Sequence, residues 1–364
     1  MPQPPAPPRA PAQLGRVAIP LAALLCLLGC SSPPGIPTAS PPPQQSSSQP
    51  YLRIARPENG AIELQVAARK FVPARGNGPA VWLIGASHIG ESNYYAGLQR
   101  QLDTQTLVLY EGVGQHPRAA RRPKQGRLPS TLPPPAANTP APAGPDDGLQ
   151  ATMARSLGLV FQLQAIRCDR TNFFNSDLSI VEIQALMRQR PAAPTQRTGQ
   201  PGGDDENNAF QELLRAMDGS SAFGAVMRGV FQFIGGSTKL QAMSKLALIE
   251  VLGAMKADPS RLRGVPPDLQ KLLEVLIQER NKVVIDDLRF ELQTARRRDS
   301  IGIFYGAGHL PDLEQRLRSQ LGYRPSSDVW HTAFSVHPAQ AGLSTFELSF
   351  LQNLIRSQLA PLTD

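Results

Sequence analysis

The chain has 364 residues and a formal net charge of +8, and only 6% of its residues are aromatic. Its basic residues are scattered, and no aromatic side chains interleave with them to stack bases. This excludes a nucleic-acid-binding surface and leaves a solvated basic one with weak attraction to anionic lipid. Proline is dense over residues 2–50 and 117–145; setting those segments aside leaves about 280 residues, enough for a sizeable core.

At the N-terminus, Arg9 and Arg16 precede the apolar run 17–28. A basic stretch followed by a run too short to span a bilayer reads as a secretory signal. The run ends Leu27-Leu28-Gly29-Cys30-Ser31-Ser32, which resembles a bacterial lipobox: a small residue, then cysteine, then serine. The resemblance implies lipid attachment at the Cys30 thiol, cleavage before Cys30 and acylation of the new amine. Residues 1–30 are then a lipoprotein signal peptide. Residues 31–50 are a Pro/Ser/Gln-rich tether with no core of its own, and 51–364 form the folded body. Of the three cysteines only Cys168 lies in that body, so no intrachain disulfide is available there.

The body opens with a strand over 62–72, an edge strand by its alternation. A second strand, Val81-Trp82-Leu83-Ile84, runs into Gly85-Ala86-Ser87-His88. A helix over 91–102 leads to a third strand, Leu107-Val108-Leu109-Tyr110, which ends at Glu111-Gly112. Strand, helix, strand is a parallel crossover unit, so Glu111 is expected at the same sheet edge as His88. A glutamate ending an apolar strand serves equally well as a surface residue or as a ligand. The stretch 115–147 is a Pro-rich loop, long for a compact domain. Helical periodicity follows over 149–164, a short strand over 166–169, and a helix over 178–190 with Asp177 in N-cap position. Residues 206–297 read as helical throughout, with apolar stripes at Phe210/Leu213/Leu214/Met217, at Leu246/Ile249/Leu252/Met255, and along 267–296. Then Ile301-Gly302-Ile303-Phe304-Tyr305-Gly306-Ala307-Gly308-His309 repeats the grammar of 81–88, followed by a helix over 311–321. A strand over 329–336 and a helix over 346–359 close the chain.

Two of the five histidines thus follow a short apolar strand and a Gly-x-x-His turn, where glycine permits a tight bend. In a parallel sheet ligands bind at the carboxyl ends of strands. The expected fold is α/β: a mixed, partly parallel sheet carrying two Gly-x-x-His loops, with a helical insertion at 206–297. If their strands are near neighbours, His88, Glu111 and His309 meet in one cleft.

The stretches 81–88, Leu107-Val108-Leu109-Tyr110-Glu111, Glu279-Arg280-Asn281 and Gly306-Ala307-Gly308-His309-Leu310 together resemble the TraB/GumN family. That family includes the TIKI metalloproteases and is related more distantly to the erythromycin esterase-like and ChaN-like proteins. The resemblance covers about residue 51 to the C-terminus. It implies an active site at His88, Glu111 and His309, with Arg280 as a polar contact and Asp177 at a softer acidic position. It also implies a divalent metal ion on the His/Glu/His set, with manganese, cobalt and zinc as candidates, and a peptide as the natural substrate by analogy with TIKI. The long Pro-rich segment after Glu111 departs from the compact family pattern.

Three functions follow as expectations. The first is a metal-dependent hydrolase anchored in the bacterial cell envelope, where the metal activates water and polarises a carbonyl. The second is a metal-free hydrolase in which one histidine is the general base and Glu111 orients it. The third is a non-enzymatic surface lipoprotein binding a peptide or small ligand. No serine nucleophile elbow, phosphate loop, Cys-x-x-Cys pair or dinucleotide fingerprint occurs in the sequence.

Overall fold

The computed structural model describes residues 50–112, 149–189, 222–254, 275–293 and 298–363. The Cys30 lipobox, the 115–147 loop, the 210–217 stripe and Met255 lie outside them. The described chain is mixed α/β, built on one mixed, partly parallel sheet.

Four strands form the parallel part: β3 (Ala80–Ala86), β5 (Leu107–Tyr110), β7 (Phe173–Asn175) and β8 (Ser300–Gly306). Their order across the sheet is β3-β8-β5-β7. The last of them in sequence, β8, lies between β3 and β5, with Ala86 opposite Gly306 and Tyr110 opposite Phe304. The antiparallel part is built on β2 (Ile62–Pro73). One edge of β2 pairs along its whole length with β9 (Tyr323–Val336), and its other edge is shared by β1 (Leu52–Ala55) and β3. The 62–72 strand is therefore interior, contrary to the edge position expected from its alternation. Its residues are buried on both faces, with Leu64, Val66, Ala68 and Phe71 all fully enclosed.

Strand alternation sorts the apolar side chains into two layers. Val81 and Leu83 of β3, Leu107 and Leu109 of β5, and Ile301, Ile303 and Tyr305 of β8 face one layer. Ile84, Val108 and Phe304 face the other. Helices α7 (Arg280–Gln293) and α8 (Leu310–Leu321) cover the first layer through Val284, Leu288, Leu310, Leu313 and Leu317. The second layer is covered by α1 (Ser92–Asp103) through Tyr94, Tyr95, Leu98 and Leu102, by α5 (Ala222–Gly235) through Phe231, and by α6 (Thr238–Ala254) through Leu246, Ile249 and Leu252. Each such side chain taken out of water contributes about 1.5–3 kcal/mol. Helix α8 starts with Pro311 in its first turn and stops at Gly322, which takes a left-handed φ of 69°. That is the N-terminal proline, C-terminal glycine asymmetry expected of a well-bounded helix.

Several local expectations are corrected. The 149–164 helix breaks into α2 (Leu149–Ser156), the two-residue strand β6 (Val160–Phe161), which pairs with β4 (Ile89–Gly90), and the short helix α3 (Gln162–Ala165). Gly158, at φ 64°, makes the break. Residues 166–169 are not a strand; the strand is β7, a few residues later. Helix α4 (Ile180–Gln189) is capped by Ser179, whose N and Oγ both donate to Glu182 Oε2 while its Oγ accepts from the Glu182 N. This is a capping box, and it leaves Asp177 for another role. Gly85 lies inside β3, paired with Tyr305, not in a tight turn. A Cβ there would come within 2.7 Å of Val66 Cγ1 and 3.0 Å of both the Ala67 carbonyl and Leu310 Cδ1. Glycine is required at that position because β2 and α8 approach it so closely.

Candidate functional site

The carboxyl ends of β3, β8 and β5 meet at one sheet edge, and each delivers a side chain to it. His88 lies two residues beyond β3, where its carbonyl accepts from the Gln162 N at 2.8 Å. Glu111 follows β5 directly, with its N donating to the Phe304 carbonyl at 3.0 Å. His309 ends the single 3-10 turn Ala307–His309 between β8 and α8.

Gly306, the last residue of β8, is the floor between them. A Cβ there would stand 3.3 Å from Glu111 Oε2, 3.6 Å from His88 Nε2 and 3.8 Å from His309 Cδ2. Its φ of −51° is open to any residue. The glycine is therefore explained by the three side chains around it and not by backbone strain. His309 Nε2 lies 3.7 Å from Glu111 Oε1, while Glu111 Oε2 accepts from the Gly306 N at 2.6 Å.

Behind Glu111 stands a buried ion pair network. Arg280, at the start of α7, donates from Nη2 to Glu111 Oε1 at 2.7 Å and to Asp177 Oδ2 at 2.7 Å. Its Nε donates to Asp177 Oδ1 at 2.8 Å, and its Nη1 to the Leu276 carbonyl at 3.3 Å. Asp177 is fully enclosed and also accepts from the Gly112 N at 3.0 Å and the Leu178 N at 2.7 Å. This bidentate fork is the geometry in which arginine and carboxylate interact most strongly. Burial works to raise the Glu111 pKa, but Arg280, then His309 and His88, hold it well below the usual carboxylate range. Burial pushes the His309 imidazole down to about 4, against the opposing pull of Glu111. At neutral pH the site therefore holds a carboxylate beside a neutral His309 ring.

All five body residues singled out in the sequence come together here: His88, Glu111, His309, Arg280 and Asp177. Arg280, expected as a polar contact in the active site, turns its donors to the protein itself. Its donors are committed to Asp177, Glu111 and Leu276, so it fixes Glu111 in place. Sequence reasoning gave Gly306 only the role of permitting a tight bend and assigned none to Asn281 or Asp312. Asn281, fully buried on α7 next to Arg280, has its Oδ1 2.8 Å from His309 Nδ1, and its Nδ2 donates to the His309 carbonyl and to Asp312 Oδ2. Its position directly after Arg280, and that of Asp312 one helical turn after His309, were the available signals. Cys168 is half-buried, and burial pushes its thiol up to about 11, which leaves it mostly protonated and a poor nucleophile at neutral pH.

Two imidazoles and a carboxylate are a suitable donor set for a divalent ion by type. Their arrangement gives the cation's place beside Glu111 to Arg280, and the other carboxylate oxygen is taken by the Gly306 N. As they stand, these residues do not fit a resident ion; one bound through Glu111 Oε1 would sit beside a permanent guanidinium charge. Comparison with protein-family models, with curated proteins and with solved structures found no match.

Proposed function

We propose that this chain is a membrane-anchored hydrolase of the TraB/GumN type that works at His88, Glu111 and His309. The observation that carries this reading is the meeting of all three side chains around Gly306, at the strand ends where parallel sheets place their ligands. In this reading the two Gly-x-x-His stretches are the site's loops. The helices within 206–297 are an insertion that contributes Arg280 to it.

The favoured chemistry uses the side chains as they stand. A water donating to both His309 Nε2 and Glu111 Oε1 would be oriented for attack, with neutral His309 taking its proton. His88 Nε2, which lies 3.6 Å from where a Gly306 Cβ would stand, would donate to the leaving group or to the developing oxyanion. Glu111 would stay ionised under the hold of Arg280 and stabilise the imidazolium as it forms. The substrate class is a peptide or a small carbonyl compound open to water attack. A second reading, favoured by the donor set itself, has a divalent ion on His88, Glu111 and His309, and it requires Arg280 to release Glu111.

Hydrolysis of a panel of peptides and simple esters by the purified protein tests the reading. Conversion that falls by about 10³-fold or more in His309→Ala, the size of losing both general-base catalysis and its positioning, is the expected result. Activity equal in wild type and variant would leave a binding lipoprotein instead. Elemental analysis of the same preparation separates the two chemistries: about one equivalent of metal per chain supports the second. The anchor is tested separately, because among the described residues no helix is long and apolar enough to cross a membrane. Cys30→Ser should release the protein from bacterial membranes or leave the precursor uncut. Unchanged processing and fractionation would remove Cys30 from the proposal and leave the site untouched.

A further inference from the structure

The hydrogen bonds behind His309 determine which of its ring nitrogens carries the proton. The Asn281 amide has one end that only donates and one that only accepts. Its Nδ2 faces two oxygens that can only accept, the Asp312 Oδ2 at 2.8 Å and the His309 carbonyl at 3.1 Å. Turning the amide over would set its oxygen against both, so the orientation is forced. Asn281 Oδ1 then faces His309 Nδ1 at 2.8 Å, and this contact is a hydrogen bond only if Nδ1 carries a hydrogen. A neutral ring with hydrogen on Nδ1 has a bare lone pair on Nε2, and that nitrogen is the one 3.7 Å from Glu111 Oε1. Asp312 is itself held, accepting from Arg316 Nε at 2.6 Å. The order runs Arg316, Asp312, Asn281, His309, with each partner fixed by the one before it.

We infer that Asn281 is a positioning residue, backed by Asp312, that locks His309 as the Nδ1–H tautomer and so presents Nε2 to the cleft as a proton acceptor. The consequence for turnover rests on the hydrolase reading above; the tautomer itself does not. Partners that orient a working histidine in this way are worth about 10- to 100-fold in activity or ligand affinity. Asn281 touches none of the reacting atoms, so its effect should fall on kcat and leave KM unchanged.

The test is a long-range ¹H–¹⁵N spectrum of the full-length protein carrying ¹⁵N-labelled histidine at neutral pH, with His309 assigned by the signals missing in His309→Gln. The expected result is Nδ1 at a protonated, pyrrole-like shift and Nε2 at a bare, pyridine-like shift. Asn281→Ala should move both signals toward the averaged values of a ring exchanging tautomers, with kcat lowered about 10- to 100-fold. Asp312→Asn can still turn an oxygen to Asn281 and Arg316, so it should retain the wild-type signals. Wild-type signals showing hydrogen on Nε2, or an Asn281→Ala spectrum identical to wild type, would overturn the inference. The wild-type spectrum decides it even if Asn281→Ala does not fold. A locked tautomer in a protein that hydrolyses nothing would sink the hydrolase reading and leave this one standing.

Discussion

Arg280→Leu is expected to be the most destabilising single change at the site, costing about 3–5 kcal/mol, the range for removing one partner of a buried ion pair. For a domain of this size that lowers Tm by on the order of 10 °C. The reason lies in what is left behind. Asp177 is fully enclosed and would lose both hydrogen bonds from the guanidinium while keeping those from the Gly112 and Leu178 N–H groups. Glu111 would keep the Gly306 N and lose the guanidinium charge beside it. Arg280→Lys should recover little, because an ammonium cannot reproduce a fork that reaches two carboxylates at once. Removing the stranded charge as well, in Arg280→Leu with Asp177→Asn, should restore part of the loss, so the two changes should be non-additive by more than about 0.5 kcal/mol. Thermal unfolding of the wild type, Arg280→Leu, Asp177→Asn and the double variant measures this. An Arg280→Leu protein with the wild-type Tm would mean that the pair is not buried in solution.

The second large effect is on acid stability. Burial holds the His309 pKa at about 4, below the ordinary value of 6.5. Between those values the unfolded chain binds a proton that the folded chain refuses, and stability rises with pH wherever the unfolded state binds more protons. His309 therefore makes no demand above about pH 6.5. It costs stability increasingly as pH falls toward 4, and adds no further slope below that. The full loss is about 3 kcal/mol, at 1.36 kcal/mol for each pKa unit. Glu111 acts with the same sign at lower pH: its folded pKa is depressed, so its contribution is present above the ordinary carboxylate range and is lost on acidification. In denaturant titrations at a series of pH values, His309→Gln should flatten the curve between about pH 6.5 and 4 and leave the limb below 4 in place. Curves that run parallel through that window would show that the ring is exposed to water and titrates normally.

How much of this was legible in the sequence can be followed residue by residue. Local chemistry determined the strands at 81–84, 107–110 and 301–305, because short apolar runs bounded by glycine have few other stable conformations. It also determined that the two histidines and Glu111 sit just past strand ends. It located the α1 and α8 helices to within a residue or two, through the spacing of Tyr94, Leu98 and Leu102 and of Leu310, Leu313 and Leu317. Where competing local signals were close in strength the reading slipped. Asp177 and Ser179 are both good N-caps, and only the buried guanidinium of Arg280 claims the first of them.

The tertiary structure alone decided the rest. The alternation of 62–72 cannot say how many neighbours the strand has; β9, more than 250 residues later, covers the edge that would otherwise be free. Nothing local in 300–306 requires it to slide between β3 and β5, yet that placement brings Gly306 between His88 and Glu111. The same holds for Asn281 and Asp312. Each is an ordinary polar helix residue until α7 and α8 pack on one face of the sheet and bring an amide, a carboxylate and an imidazole within hydrogen-bonding distance. Periodicity and turn chemistry act over a few residues, and so they place each functional group at the end of its own element. Which ends meet is decided by burial of the two apolar layers, a sum over contacts between residues far apart in the chain.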